Sequence, residues 1–166
     1  MLTTPFTISH GFKAPRALVY TVHTESRHLG QWSGPAGFEP IYSSLDLRVG
    51  GRNHYGLAGP GGTQMWGLQV YREIERDHRL VCLQSFSDAS GGLTRHPMAA
   101  TWPLEMLSST NFDDAAPGET LLTIRWQPFN ADETSIATFD AARAGMAQGF
   151  AGSFEKLDAY LAQLQA

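Results

Sequence analysis

No proline interrupts the chain between Pro128 and the last residue, Ala166, and this closing stretch constrains the fold more than any other. Asp132 is a suitable N-cap, Glu133 places an acid in the first turn, and a long helix is expected to follow. Ile136, Phe139, Met146, Phe150, Phe154, Leu157, Leu161 and Leu164 recur at steps of three, four or seven, so they share one broad stripe. Burying that stripe would contribute on the order of 12–20 kcal/mol gross, an upper bound because an unfolded chain already hides part of the surface. Something large must cover it, and a sheet shaped to receive one helix satisfies the requirement.

The stripe changes character along its length. Its first half carries Ala141, Ala142, Ala144, Gly145, Ala147, Gly149, Ala151 and Gly152, which leaves little side-chain volume around Met146 and Phe150. A helical glycine costs about 0.5–1 kcal/mol relative to alanine, so these glycines need a reason. Close approach of a strand is one, and room for a ligand between helix and sheet is the other. The second half, with Phe154, Leu157, Tyr160, Leu161 and Leu164, is bulky and reads as closed core.

The preceding chain supplies strands. Phe6 to Phe12 alternates apolar and polar, with Phe6, Ile8 and His10 or Phe12 directed to the core. Pro15 opens a helical segment to Gln31 that breaks near Glu25-Ser26, and Trp32 to Phe38 reads as a loop pinned by its rings. Ser43 to Val49 and Arg52 to Leu57 form a hairpin about Gly50-Gly51, with Asn53, Tyr55 and Leu57 on one face. A second hairpin joins Gln64–Ile74 to Arg79–Phe86. Residues 87–101 are unpatterned, and Leu104–Phe112 and Thr120–Gln127 are the last strands. This order predicts one α+β domain over residues 1–166, with an antiparallel sheet curved around the closing helix and a cavity or a plugged gap between them.

At 166 residues the chain suits a single domain, and its 42% hydrophobic and 17% charged content is that of a soluble globular protein. A net charge of −4 with only two lysines argues against nucleic acid and anionic membranes, which demand clustered cations. No 18-residue apolar run and no charged-then-apolar leader is seen, so a cytoplasmic location without membrane insertion is expected. Cys82 lies in an apolar run and reads as a core residue. The six histidines show no metal-ligand spacing, and no phosphate loop, dinucleotide fingerprint or nucleophile elbow is present, so no metal or cofactor is expected.

Four motifs in order, Trp32 to Phe38, Leu45-Asp-Leu-Arg-Val-Gly-Gly51, Tyr71-Arg-Glu-Ile74 followed by Arg79-Leu-Val81, and Phe139 to Leu161 with Gly149-Phe150, resemble the activator of Hsp90 ATPase homologue 1-like proteins. These belong to the SRPBCC group of START and Bet v 1-like helix-grip folds. The resemblance implies a seven-stranded antiparallel sheet curled around the C-terminal helix, two short helices after the first strand, and a cavity. Departures include Arg76-Asp77 in place of two turn prolines, Ser33 in place of a second aromatic and Phe150 in place of tryptophan. Asn53 stands where an inward aromatic is common, which suggests a polar contact inside the cavity.

Candidate cavity residues follow. Trp32, Trp66, Phe86 and Trp126 would supply aromatic walls, with Tyr55 beside Asn53, and Phe139, Met146 and Phe150 would face them from the helix. Arg143 borders the stripe, either as an anion-binding group at the mouth or as a snorkelling side chain with a wet head. The leading functional expectation is binding of a small hydrophobic, aromatic or lipid-like molecule. A polyketide cyclase-like or hydrolase-like enzyme acting through Arg143, Asn53 or a histidine is the alternative. Modulation of an Hsp90-type chaperone, named by the family, ranks third because only one domain is seen, and homodimerisation is left open.

Overall fold

The computed structural model describes residues 3–166. Strand β1 (Phe6–Phe12) leads into helices α1 (Arg16–Thr24) and α2 (Ser26–Trp32), then β2 (Glu39–Leu45), β3 (Arg52–Ala58), β4 (Gln64–Glu75), β5 (Arg79–Ser87), the two-residue β6 (Leu93–Thr94), β7 (Glu105–Ala116) and β8 (Glu119–Phe129). Helices α3 (Glu133–Ala141) and α4 (Arg143–Leu164) close the chain. All pairings are antiparallel, in the order β1-β8-β7-β5-β4-β3-β2 with β6 beside β5. The expected curved sheet around a terminal helix is the architecture observed, with β6 as an addition inside the stretch read as loop.

Local chemistry explains most of the boundaries. Pro15 has extended φ/ψ and precedes α1, where its missing N–H costs nothing, and Glu25 is extended between α1 and α2. Asp132 caps α3 by accepting a hydrogen bond from the Ser135 amide at 2.8 Å.

Three expectations about boundaries are corrected. The first hairpin arm begins at Glu39 and ends at Leu45, because residues 46–51 fold into a compact turn in which the Gly51 amide donates to the Arg48 carbonyl. Leu47 and Val49 are consequently exposed. The loop read from Trp32 begins one residue later, since Trp32 completes α2 and its indole N–H donates to the Val22 carbonyl at 3.0 Å. The closing helix is two helices: Ala142 leaves helical geometry (φ −93, ψ 1) while its N–H still bonds to the Phe139 carbonyl.

The core lies at one end of the curl. Phe12, Val19, Val22, Phe112, Leu122, Leu157 and Leu161 are almost wholly excluded from solvent and bring β1, α1, β7, β8 and the trailing turns of α4 together. Each such side chain stabilises the fold by roughly 1.5–3 kcal/mol relative to exposure. The Thr120 hydroxyl, also buried, donates to the Ala14 carbonyl at 2.7 Å and fastens β8 to the entry of α1. A smaller cluster of Phe6, Met106 and Phe139 lies farther along the same face of the sheet, and Ile8, Trp126 and Phe150 touch both clusters.

Candidate functional site

Between the leading turns of α4 and the concave face of the sheet is a cavity of about 370 Å³. Its floor follows from strand register. Asn53 on β3 pairs with Gln69 on β4, which pairs with Gln84 on β5, so three amide side chains form one row across the concave face. The neighbouring rows contribute Ser43 and Tyr55 on one side, Tyr71, Cys82 and Ser108 on the other. Aromatic and aliphatic side chains complete the lining. Trp126 of β8 meets Phe150 of α4 edge to face at 4.8 Å, Phe86 and Leu57 extend the apolar surface on the sheet, and Met146 and Trp32 add to it from α4 and α2.

Hydrogen bonds order the polar row. Asn53 Nδ2 donates to Gln69 Oε1 at 3.0 Å, and Gln84 Nε2 donates to the Tyr55 hydroxyl at 3.4 Å. Tyr55 reaches β5 because its ring lies across Gly67 on β4, where any Cβ would collide with the phenol. Trp126 Nε1 donates to Ser108 Oγ at 2.9 Å, fixing the indole. Asn53 Oδ1 and Ser43 Oγ have no partner among the described residues, although both are shut off from solvent.

Eight of the ten predicted residues border the cavity: Trp32, Asn53, Tyr55, Trp66, Phe86, Trp126, Met146 and Phe150. Trp66 does so with its ring turned away. It pairs with Gly56, whose Cβ would lie 2.6 Å from the indole, and it packs with Tyr42 and His54 on the convex face, opposite Tyr55 and Leu57. Phe139 and Arg143 are outside. The break at Ala142 drops Phe139 into the smaller cluster with Phe6 and Met106. Arg143 stands over the Phe139 ring at 5.0 Å, donates to Asp140 Oδ1 at 2.8 Å and to the Thr4 carbonyl, and so ties the helix to the N-terminal segment rather than facing a ligand.

His23 was not among the predicted cavity residues, yet it lines the cavity from α1. Its Nδ1 lies 2.7 Å from the Val19 carbonyl, an obligatory acceptor, so Nδ1 carries the proton and Nε2 is left with a lone pair. Burial, opposed only in part by that hydrogen bond, pushes the imidazole down to about 4. Burial likewise pushes the Tyr55 phenol and the Cys82 thiol up to about 12. The helical step from Val19 to His23, next to inward Val22, was the available signal for this residue. Gln69 and Gln84 were likewise legible from their parity with Tyr71 and Cys82.

The glycines of α4 divide between the two anticipated roles. A Cβ on Gly149, at the cavity wall, would meet nothing within 4 Å, whereas one on Gly152 would sit 3.0 Å from the Ala36 backbone nitrogen and Cβ. The close neighbour is thus the loop after α2, not a strand. Lys156 holds that loop, donating to the carbonyls of Ser33, Gly34 and Phe38 at 3.1, 3.2 and 2.8 Å. Ser33, Gly34 and Pro35 of this loop also border the cavity.

A curved antiparallel sheet, a terminal helix across it and a cavity between them define a helix-grip protein. The model of the activator of Hsp90 ATPase homolog 1-like protein family matches residues 13–162, and the chain belongs to that family. Solved structures of similar fold include a protein from Arthrobacter aurescens, with TM-score 0.77 and 23% identity, covering 98% of this chain and 91% of that one. A Mycobacterium smegmatis protein has TM-score 0.74 and 21% identity over 97% of both chains. An AHSA1 protein from Silicibacter pomeroyi has TM-score 0.67 and 16% identity, covering 96% of this chain and 99% of that one. No curated protein matches the sequence. No helix among the described residues is long and apolar enough to cross a membrane.

Proposed function

We propose that the protein binds a small, mainly apolar molecule, aromatic or lipid-like, in the cavity between the sheet and the leading turns of α4. The supporting observation is the void itself, about 370 Å³ and bordered by Trp126, Phe150, Met146, Phe86 and Trp32. Interiors normally pack without gaps of this size, and a concave, largely apolar space with a few convergent polar groups suits small-molecule binding. The neutral dye N-phenyl-1-naphthylamine should bind saturably with enhanced fluorescence. Gly149→Phe, which places a ring where nothing now stands, should abolish that binding without lowering the melting temperature. Absence of saturable binding by the wild type, or binding untouched by Gly149→Phe in a folded protein, would overturn the proposal.

His23 favours a second reading, acid–base catalysis on a bound neutral ester or a related substrate. Its hydrogen bond to Val19 sets the tautomer and leaves Nε2 to accept a proton. With the imidazole near 4, the ring is neutral at pH 7 and a weak base, so binding is the stronger reading. Steady-state hydrolysis of 2-naphthyl acetate that is lost in His23→Gln would support the catalytic reading, and no turnover above buffer would remove it.

A further inference from the structure

We propose that the cavity selects an uncharged ligand carrying a hydroxyl, or another neutral group that both donates and accepts a hydrogen bond, and discriminates against carboxylates and amines of the same shape. This deepens the binding reading above and rests on it.

Charge is the first ground. Among the described residues, no Asp, Glu, Lys or Arg borders the cavity. The two cations of α4 are committed elsewhere: Arg143 to Asp140 and the Thr4 carbonyl, Lys156 to three carbonyls of the loop after α2. The titratable groups that face the space are His23 from α1, Tyr55 from β3, Tyr71 from β4 and Cys82 from β5. Burial moves all four towards their neutral forms at physiological pH. A charged ligand would therefore lose its hydration and find no counterion, a cost that hydrogen bonds to neutral amides do not offset.

The second ground is the hydrogen-bond inventory of the amide row. Because Asn53 Nδ2 donates to Gln69 Oε1, the pair leaves Asn53 Oδ1 as an acceptor and Gln69 Nε2 as a donor on adjacent strands. Ser43 Oγ, on the next strand, is a further atom without a partner, and the Asn53 and Ser43 oxygens are both buried. An unsatisfied buried acceptor costs about 1–3 kcal/mol, and a ligand that supplies its donor recovers that cost. A hydroxyl donates to the acceptor and accepts from the donor, whereas an ether only accepts. Trp126, which continues the neighbouring Tyr71-Cys82-Ser108 row, and Phe150 of α4 border the same space and would hold the apolar body.

Displacement of N-phenyl-1-naphthylamine by 2-naphthol, 2-methoxynaphthalene and 2-naphthoate at pH 7.5, read as dissociation constants, tests the proposal. The naphthol should bind about tenfold tighter than the ether, as expected for the one hydrogen bond to a buried unpartnered acceptor that the ether cannot donate, and the carboxylate should be the weakest. Asn53→Leu should bring naphthol and ether to equal affinity, and Ser43→Ala, a smaller change, should narrow the gap if Asn53→Leu does not fold. Equal wild-type affinity for naphthol and ether, or naphthoate binding as tightly as naphthol, would overturn the selectivity while leaving the cavity a binding site. Failure of the dye and of all three naphthalenes to bind would instead overturn the binding reading on which it rests.

Discussion

The leading and trailing turns of α4 face the same sheet and have opposite environments. In the trailing turns Phe154, Leu157 and Leu161 retain at most a twentieth of their surface, locked against β1, α1 and β8. In the leading turns Met146 and Phe150 are only half-buried, and Gly149 faces empty space. One helix thus acts as the keystone of a close-packed core at one end and as the lid of a void at the other. Stability and binding are separated along a single element. Substitutions at one end should therefore register mainly in unfolding, and those at the other mainly in affinity.

The largest effect should come from Leu157→Ala, which leaves a cavity where relaxation is limited and should cost about 4 kcal/mol in urea denaturation. Met146→Ala should cost much less, because its side chain already borders a void. Equal losses at the two positions would break the distinction between the two ends.

The next effect concerns pH. His23 titrates near 4 when folded and near 6.5 when unfolded, so below 6.5 the unfolded chain takes up a proton that the native state refuses. Its contribution is complete above pH 6.5 and is lost as pH falls towards 4, by up to about 3 kcal/mol. Denaturation midpoints between pH 7.5 and 4.5 should fall less steeply in His23→Gln than in the wild type, and parallel profiles would show that the cavity does not hold this ring neutral.

The smallest effect separates the two glycines. Gly149→Ala should stabilise by about 0.5–1 kcal/mol through helix propensity alone. Gly152→Ala should fail to gain and should lose about 1 kcal/mol, since the new methyl presses on the Ala36 backbone. Equal thermal shifts for the two variants would mean that the loop after α2 yields freely.

Much of this was legible in the chain. The cap at Asp132, the break at Glu25, the parity of Asn53, Tyr55 and Leu57, and the stripe from Phe150 to Leu161 are local patterns whose consequences stay within a few residues. The misplacements involve distant partners. Trp66 lies in a strand with aliphatic and polar residues on both parities; its alternation with inward Gln69 and Tyr71 puts its ring on the convex face, where the cross-strand Gly56 leaves room for the indole. Arg143 borders the apolar stripe, yet the N-terminal segment and Asp140 supply its partners.

By itself the sequence determined the elements, their order and the contrast between small and bulky turns of the last helix, because periodicity and capping act through neighbours along the chain. Only the tertiary structure decided that Ala142 divides that helix, that His23 enters the void, and that Asn53, Gln69 and Gln84 line up as one row. A cavity belongs to no segment. It is the space left when surfaces from six or more elements meet, and its lining follows from strand register and helix placement that no short-range pattern encodes.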